Sequence, residues 1–197
     1  MRRTLKSTLF LIAAASLCGA AQAHTGHGTH SLMQGLTHPL GADHMLAMLA
    51  VGVWSVSALP THKAWQGPAT FMLALLLGAV LGAVGLTLPY LEHAIALSVT
   101  LFGAMLVLGP QAMPKRLGLT LIALAAALHG LAHGAETPAS GFAAYAIGFV
   151  LTTGALHGAG LALGQRIRQQ LAQRRTALLG GLGAWLGVAG LVLASQV

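Results

Sequence analysis

From residue 32 onward the chain alternates long apolar runs with short polar breaks. Six runs lie near the roughly 20 residues that a bilayer-spanning helix needs, at about 32–56, 67–88, 91–109, 117–135, 141–164 and 176–195. Pro60, Pro68, Pro89, Pro110, Pro114 and Pro138 fall in or beside the connections, where a missing backbone donor does least harm. The pattern predicts an all-α polytopic membrane protein with six transmembrane helices over 32–197.

Residues 1–23 read as a cleaved signal peptide. Arg2, Arg3 and Lys6 form a positive n-region, Leu9 to Leu17 an apolar core, and Ala21-Gln22-Ala23 a small-x-small cleavage site. Cleavage leaves 24–31 as a short His-rich periplasmic leader. With the mature N-terminus outside, the inner loops are 57–66, 110–116 and 165–175. They hold Lys63, Lys115, Arg116, Arg166, Arg168, Arg174 and Arg175, every basic residue past the signal peptide. That asymmetry obeys the positive-inside rule, supports the six-helix count, and puts both mature termini in the periplasm.

Composition agrees. Hydrophobic residues make up 56% of the chain and charged residues 7%, too little polar surface for a soluble globule. The net charge of +7 does not point to nucleic acid, because the basic residues sit in clusters between apolar runs and form no basic face. Cys18, the only cysteine, belongs to the signal peptide, so the mature chain offers no thiolate. Gly78-x-x-x-Gly82, Gly154-x-x-x-Gly158 and Gly183-x-x-x-Gly187 are stripes that let helix backbones approach closely in lipid.

Against this apolar background a few polar residues stand out. The first run contains His38-Pro39-Leu40-Gly41-Ala42-Asp43-His44. An Asp near the centre of a spanning helix costs about 2.5 kcal/mol or more on insertion scales, so it needs a partner or a function. On an ideal helix Asp43 and His44 lie about 140° and 240° around from His38, so the three cannot share a face. Pro39 and Gly41 weaken the helix there, which predicts a distortion between His38 and Asp43 that brings them together. In the fourth run His129, His133 and Glu136 are spaced i, i+4, i+7, a ladder up one helix face. His157 lies near or slightly inward of the midplane of the fifth run. Met45 and Met48 read as packing residues; Glu92 and His93 read either as an entrance pair or as plain surface residues. In the leader, His24, His27 and His30 with a free amine are candidates for capturing a metal ion.

Imidazole and carboxylate donors without thiolate suit borderline divalent ions such as Ni, Co, Zn or Fe. The run His38 to His44 with Leu46-Ala47-Met48, followed by His129-Gly130-Leu131-Ala132-His133-Gly134-Ala135-Glu136, Tyr145, Gly148-Phe149 and Leu156-His157 with Gly160, resembles the HupE/UreJ family of bacterial membrane proteins. The His-x4-Asp-His core is also similar to that of the larger nickel/cobalt permeases. The resemblance spans nearly the whole mature chain. It implies a carrier in the bacterial inner membrane that imports nickel, sometimes cobalt, for urease or hydrogenase maturation proteins. It also implies that His38, Asp43, His44, His129, His133, Glu136 and His157 are the transport residues, with the ion as cargo and no permanently bound cofactor.

No phosphate-binding P-loop is present, so ATP drive would need another chain. A second reading makes the protein a membrane electron carrier with His129 and His157 as axial haem ligands, but it gives Asp43 and Glu136 no role. An intramembrane enzyme is disfavoured, since no His-Glu-x-x-His occurs.

Overall fold

The computed structural model describes residues 32–109, 112–136, 142–170 and 172–197; most of these are helical, with no strand among them. The expected signal peptide and the leader histidines His24, His27 and His30 lie outside the described residues. In chain order the elements are α1 (Leu32–Thr37), a 3₁₀ turn (His38–Leu40), α2 (Ala42–Ala58), a 3₁₀ turn (Thr61–Lys63), α3 (Gln66–Ala83), α4 (Leu91–Val107), α5 (Lys115–Ala135), α6 (Phe142–Gln170), a 3₁₀ turn (Ala172–Arg174) and α7 (Arg175–Ala194).

Each of the six apolar runs is helical, but not every one forms a full-length span. Among the described residues, four segments are long and apolar enough to cross a membrane: Thr61–Ala83, Lys115–Ala135, Ala143–Gln169 and Ala172–Ala194. Leu32–Leu40 and Ala42–Ala58 together form a fifth only as a pair bent by 72°. With 17 residues, α4 is about 25 Å long, short of the ~30 Å hydrocarbon core.

Two boundaries differ from expectation. The second run stops at Ala83 because Gly85 takes φ 91°, a left-handed conformation that ends a helix, and Pro89 follows. The expected inner loop 165–175 is instead mostly helix: α6 runs to Gln170, since Gln165 to Gln169 are good helix formers and Ile167 is buried.

Glycines decide which helices meet. On α3, Gly78 and Gly82 abut the backbone at Ala127 and Leu131; on α5, Gly130 and Gly134 abut Leu75 and Ala79. Both registers rise together, so α3 and α5 run parallel with glycines interleaved. The pairing of α4 with α7 is antiparallel, Gly103 meeting Gly183 and Gly190 meeting Thr100. The α1–α2 pair lies along α6, where Gly35 faces Tyr145, Gly52 faces Gly160, and Gly164 faces Val53. A Cβ at these close contacts would strike the neighbouring helix.

The stripe Gly154-x-x-x-Gly158 does not behave as expected. Among the described residues nothing lies within 4 Å of a Cβ built on either glycine. The close approaches of α6 fall on Gly148, Gly160 and Gly164, a face rotated away from that stripe. In the α7 stripe, Gly183 packs as expected, whereas a Cβ on Gly187 points into open space.

One end of the bundle gathers basic residues. The Arg168 guanidinium donates to the Val56 carbonyl (3.4 Å) and that of Arg175 to the Ser57 carbonyl (2.9 Å). Both cations therefore cap the negative C-terminal end of α2. Gly118, just after Lys115 and Arg116, lies against the Trp54 indole near the same end.

Candidate functional site

The opposite half of the bundle carries the polar cluster, and it depends on the break in the first span. Pro39 sits at the start of the 3₁₀ turn, and Gly41 takes φ −51°, ψ 142°, an extended conformation that interrupts the helix. Breaking a helix frees carbonyls that would be costly unsatisfied within a membrane. Here the Thr152 hydroxyl on α6 donates to the Leu36 carbonyl (2.8 Å), and the Thr37 hydroxyl bonds back to the Met33 carbonyl (3.0 Å). The distortion expected between His38 and Asp43 is thus present.

The bend brings His38 and His44 onto one group, with ring centroids 6.4 Å apart, and His133 of α5 lies against both. His38 Nε2 is 2.9 Å from His133 Nδ1, and His44 Nε2 contacts His133 Nε2. Glu136, which caps α5 rather than extending it, reaches within 4.0 Å of His38 Nε2. One donor atom each from His38, His133 and Glu136 falls within a 4.8 Å sphere of mutual distance, close enough to hold a metal ion. Tyr145 and Phe149 of α6 wall the group, their rings 5.7 and 6.0 Å from His38.

Asp43 pairs with its chain neighbour His44. Its Oδ1 accepts from the His44 backbone N–H and from His44 Nδ1–H, each at 2.8 Å. The carboxylate therefore orients the imidazole and leaves His44 Nε2 as a lone pair facing the cluster. This is the arrangement by which a carboxylate fixes the tautomer of a ligating histidine.

The ladder on α5 also divides. Only His133 and Glu136 converge with His38. His129, although its ring centroid is 4.6 Å from that of His44, turns Nε2 toward the Ser98 hydroxyl of α4 at 2.9 Å. His157 lies apart, bonded through Nδ1 to the Thr153 carbonyl (2.9 Å), with Phe71 packed on its ring. His129 packs on Phe71 as well, with ring centroids 5.8 Å apart. Met48 is wholly buried in the apolar core, consistent with a packing role.

Four residues that border the site carry no distinguishing signal in the sequence: Ser98, Thr152, Thr153 and Phe71. Three are hydroxyls inside apolar runs. Threonine and serine are ordinary in membrane helices, where they bond back to their own carbonyls, so only the contacts of Ser98 and Thr152 with another helix distinguish those two. Glu92, left ambiguous by sequence, is close enough to affect Glu136. Partial burial, and next the Glu92 charge, raise the Glu136 carboxyl above its ordinary value, with His44 opposing.

The protein is thus a polytopic helical membrane protein with imidazole and carboxylate groups gathered at a broken span. Its sequence matches the family model described as HupE / UreJ protein over residues 12–193. It is also 37% identical over 183 residues to "Protein HupE" of Rhizobium leguminosarum bv. viciae, covering 92% of this chain and 95% of that one. The chain belongs to the HupE/UreJ family, a family of transporters and not of enzymes. No solved structure matches it.

Proposed function

We propose that the protein imports nickel, with cobalt as the alternative cargo, across the bacterial inner membrane to supply urease or hydrogenase maturation. The observation that carries this reading is the convergence of His38, His133 and Glu136 donors beside the His44–Asp43 pair. That set is rich in imidazole, contains carboxylate and lacks thiolate, which suits a borderline divalent ion. Membership in a metal-transport family agrees with it. Mature termini in the periplasm put the broken span at the outer side, so the cluster receives the ion from the periplasm. The leader with His24, His27 and His30 would capture the ion before it, and the arginine-bearing end marks the cytoplasmic exit.

The test is radioactive nickel uptake in a host lacking its own permease, with cobalt and zinc as competitors. His44→Ala and His133→Ala are expected to abolish uptake while the protein still reaches the membrane. Undiminished uptake in both would remove the cluster from the path. Deleting 24–30 is expected to raise the apparent KM more than it lowers the maximal rate; a fall in rate alone would overturn the capture role.

A further inference from the structure

At the basic end of the bundle, the C-terminus of α4 and the start of α7 enclose a cavity of about 510 Å³. Leu106 and Leu179, 1% and 3% exposed, form its inner wall, and Val107 and Leu108, 52% and 65% exposed, form its outer lip. Arg175 and Thr176 of α7 line it as well. Gly109 opens the space: at φ 86° it turns the chain off the axis of α4, and nothing lies within 4 Å of a Cβ built on it. A volume of several hundred cubic ångströms is that of a small-ligand site.

Arg175 is an unbalanced charge in this wall. Its guanidinium is half-buried and gives one bond to the Ser57 carbonyl at 2.9 Å, which leaves others of its five donors to spend. Among the described residues no carboxylate pairs with it. The chain has three acids, and they stand at the start of α2 (Asp43), the start of α4 (Glu92) and the end of α5 (Glu136). Each acid sits at the end of its helix remote from the cavity. Exposed Arg174 precedes Arg175, and exposed Lys115 and Arg116 follow the turn that ends at Ala112. No side chain caps the start of α7, so the positive end of its dipole faces the same region. A partly desolvated cation with no internal partner favours an anion supplied from outside the chain.

We propose that this cavity seats one anionic glycerophospholipid, its phosphate on Arg175 and Thr176 and its acyl chains along Leu106, Val107 and Leu179. The apolar walls favour a lipid over a soluble phosphate, because Val107 and Leu108 belong to the exposed apolar surface of the bundle. Basic pockets between spanning helices recognise lipid headgroups in this way, and a guanidinium pairs with phosphate through two parallel bonds. The inference is independent of the cargo. Arg175 also holds the end of α2, so the bound lipid braces the span that carries His44.

The test uses the full chain purified in a neutral detergent, with phosphatidylglycerol, phosphatidylcholine or glycerol 3-phosphate added. Native mass spectrometry reads the bound molecule, and thermal unfolding reads its effect. One phosphatidylglycerol per chain is expected to be retained and to raise the melting temperature by several degrees; phosphatidylcholine should do neither. Equal retention of the two lipids would overturn the proposal. Glycerol 3-phosphate raising the melting temperature as far as phosphatidylglycerol would do so too, by making the ligand a soluble phosphate. Ala112→Asp puts a negative charge in the cavity wall and leaves the Arg175–Ser57 bond in place. It should weaken phosphatidylglycerol binding about 5-fold, the worth of one basic residue at an anionic surface. Thr61→Asp adds the same charge at the same end of the bundle, outside the cavity, and should leave binding unchanged. Equal losses in the two variants would reduce the effect to diffuse attraction and sink the site. Arg175→Gln should lose the preference for phosphatidylglycerol, measured against that variant's own lipid-free melting temperature; a preserved preference would exclude Arg175 as the headgroup's seat. Should Arg175→Gln fail to fold, the comparison of Ala112→Asp with Thr61→Asp decides alone.

Discussion

At the scale of single residues, the site works by division of labour between atoms that supply lone pairs and atoms that aim them. Asp43 is the clearest case, since both contacts of its Oδ1 go to His44. Asp43→Asn keeps the shape but offers a weaker acceptor, and its amide can turn a donor toward the imidazole. The expected outcome is an apparent KM for nickel raised about 10- to 100-fold with the maximal rate largely kept, read from uptake at graded nickel. Glu136 supports a pH dependence. Partial burial and Glu92 raise its carboxyl, so as pH falls it is neutralised earlier than an ordinary carboxylate, and histidines must also be neutral to bind. Nickel affinity should therefore fall as pH drops through the raised range of the Glu136 carboxyl. Glu136→Gln should flatten the acidic end of the profile; an unchanged profile would exclude Glu136 from binding. At this scale the sequence named most of the participants, because a histidine or aspartate in an apolar run has few bland explanations. It could not tell that Asp43 serves His44, since adjacency in sequence does not reveal which atom a carboxylate faces.

At the scale of helices, the fold is a set of glycine-mediated contacts with one deliberate interruption. The interleaving of Gly78 and Gly82 with Gly130 and Gly134 places α5, and with it His129 and His133, at close range to α3. Gly130→Val would drive a side chain into the α3 backbone at Leu75. The variant is expected to lose thermal stability in detergent by several degrees, the scale of overpacking by about 1–3 kcal/mol. Gly154→Val, whose Cβ direction is open, is expected to leave the melting temperature unchanged. Equal losses in the two would sink this account of the packing. Two of the three sequence stripes met a neighbouring helix and one did not. A spacing of four shows that two glycines share a face, but which way that face turns is set by the partner helix. The interruption itself was legible, because Pro39 and Gly41 stand between donors that a regular helix would keep apart.

Over the whole molecule, the polar cluster and the basic end are separated along the bundle, and each is pinned by contacts between distant segments. Arg168 and Arg175 hold the C-terminal carbonyls of α2, so the two cations fix the end of the span that carries His44 at its start. Replacing both with Gln removes charge from a helix C-terminus. The expected effect is a modest destabilisation, about 1 kcal/mol or less for each cation, measured by thermal unfolding in micelles and reduced at high salt. The span count was less legible than its periodicity suggested. The short α4 and the divided first span satisfy their polar groups through neighbours rather than through length alone, and hydropathy does not report such contacts.

The broken span has a consequence for biogenesis. Helix α1 has six residues, too few to cross a bilayer alone, and its Leu36 carbonyl is capped by Thr152, 116 residues later in the chain. At ribosomal speeds of about 5–20 residues per second, that partner emerges on the order of ten seconds after the segment it completes. The His38 arm must spend that interval without its seat on α6. The cluster of His38, His133 and Glu136 thus settles only once α6 is made, and chains arrested before α6 would reach the membrane with the Leu36 carbonyl uncapped.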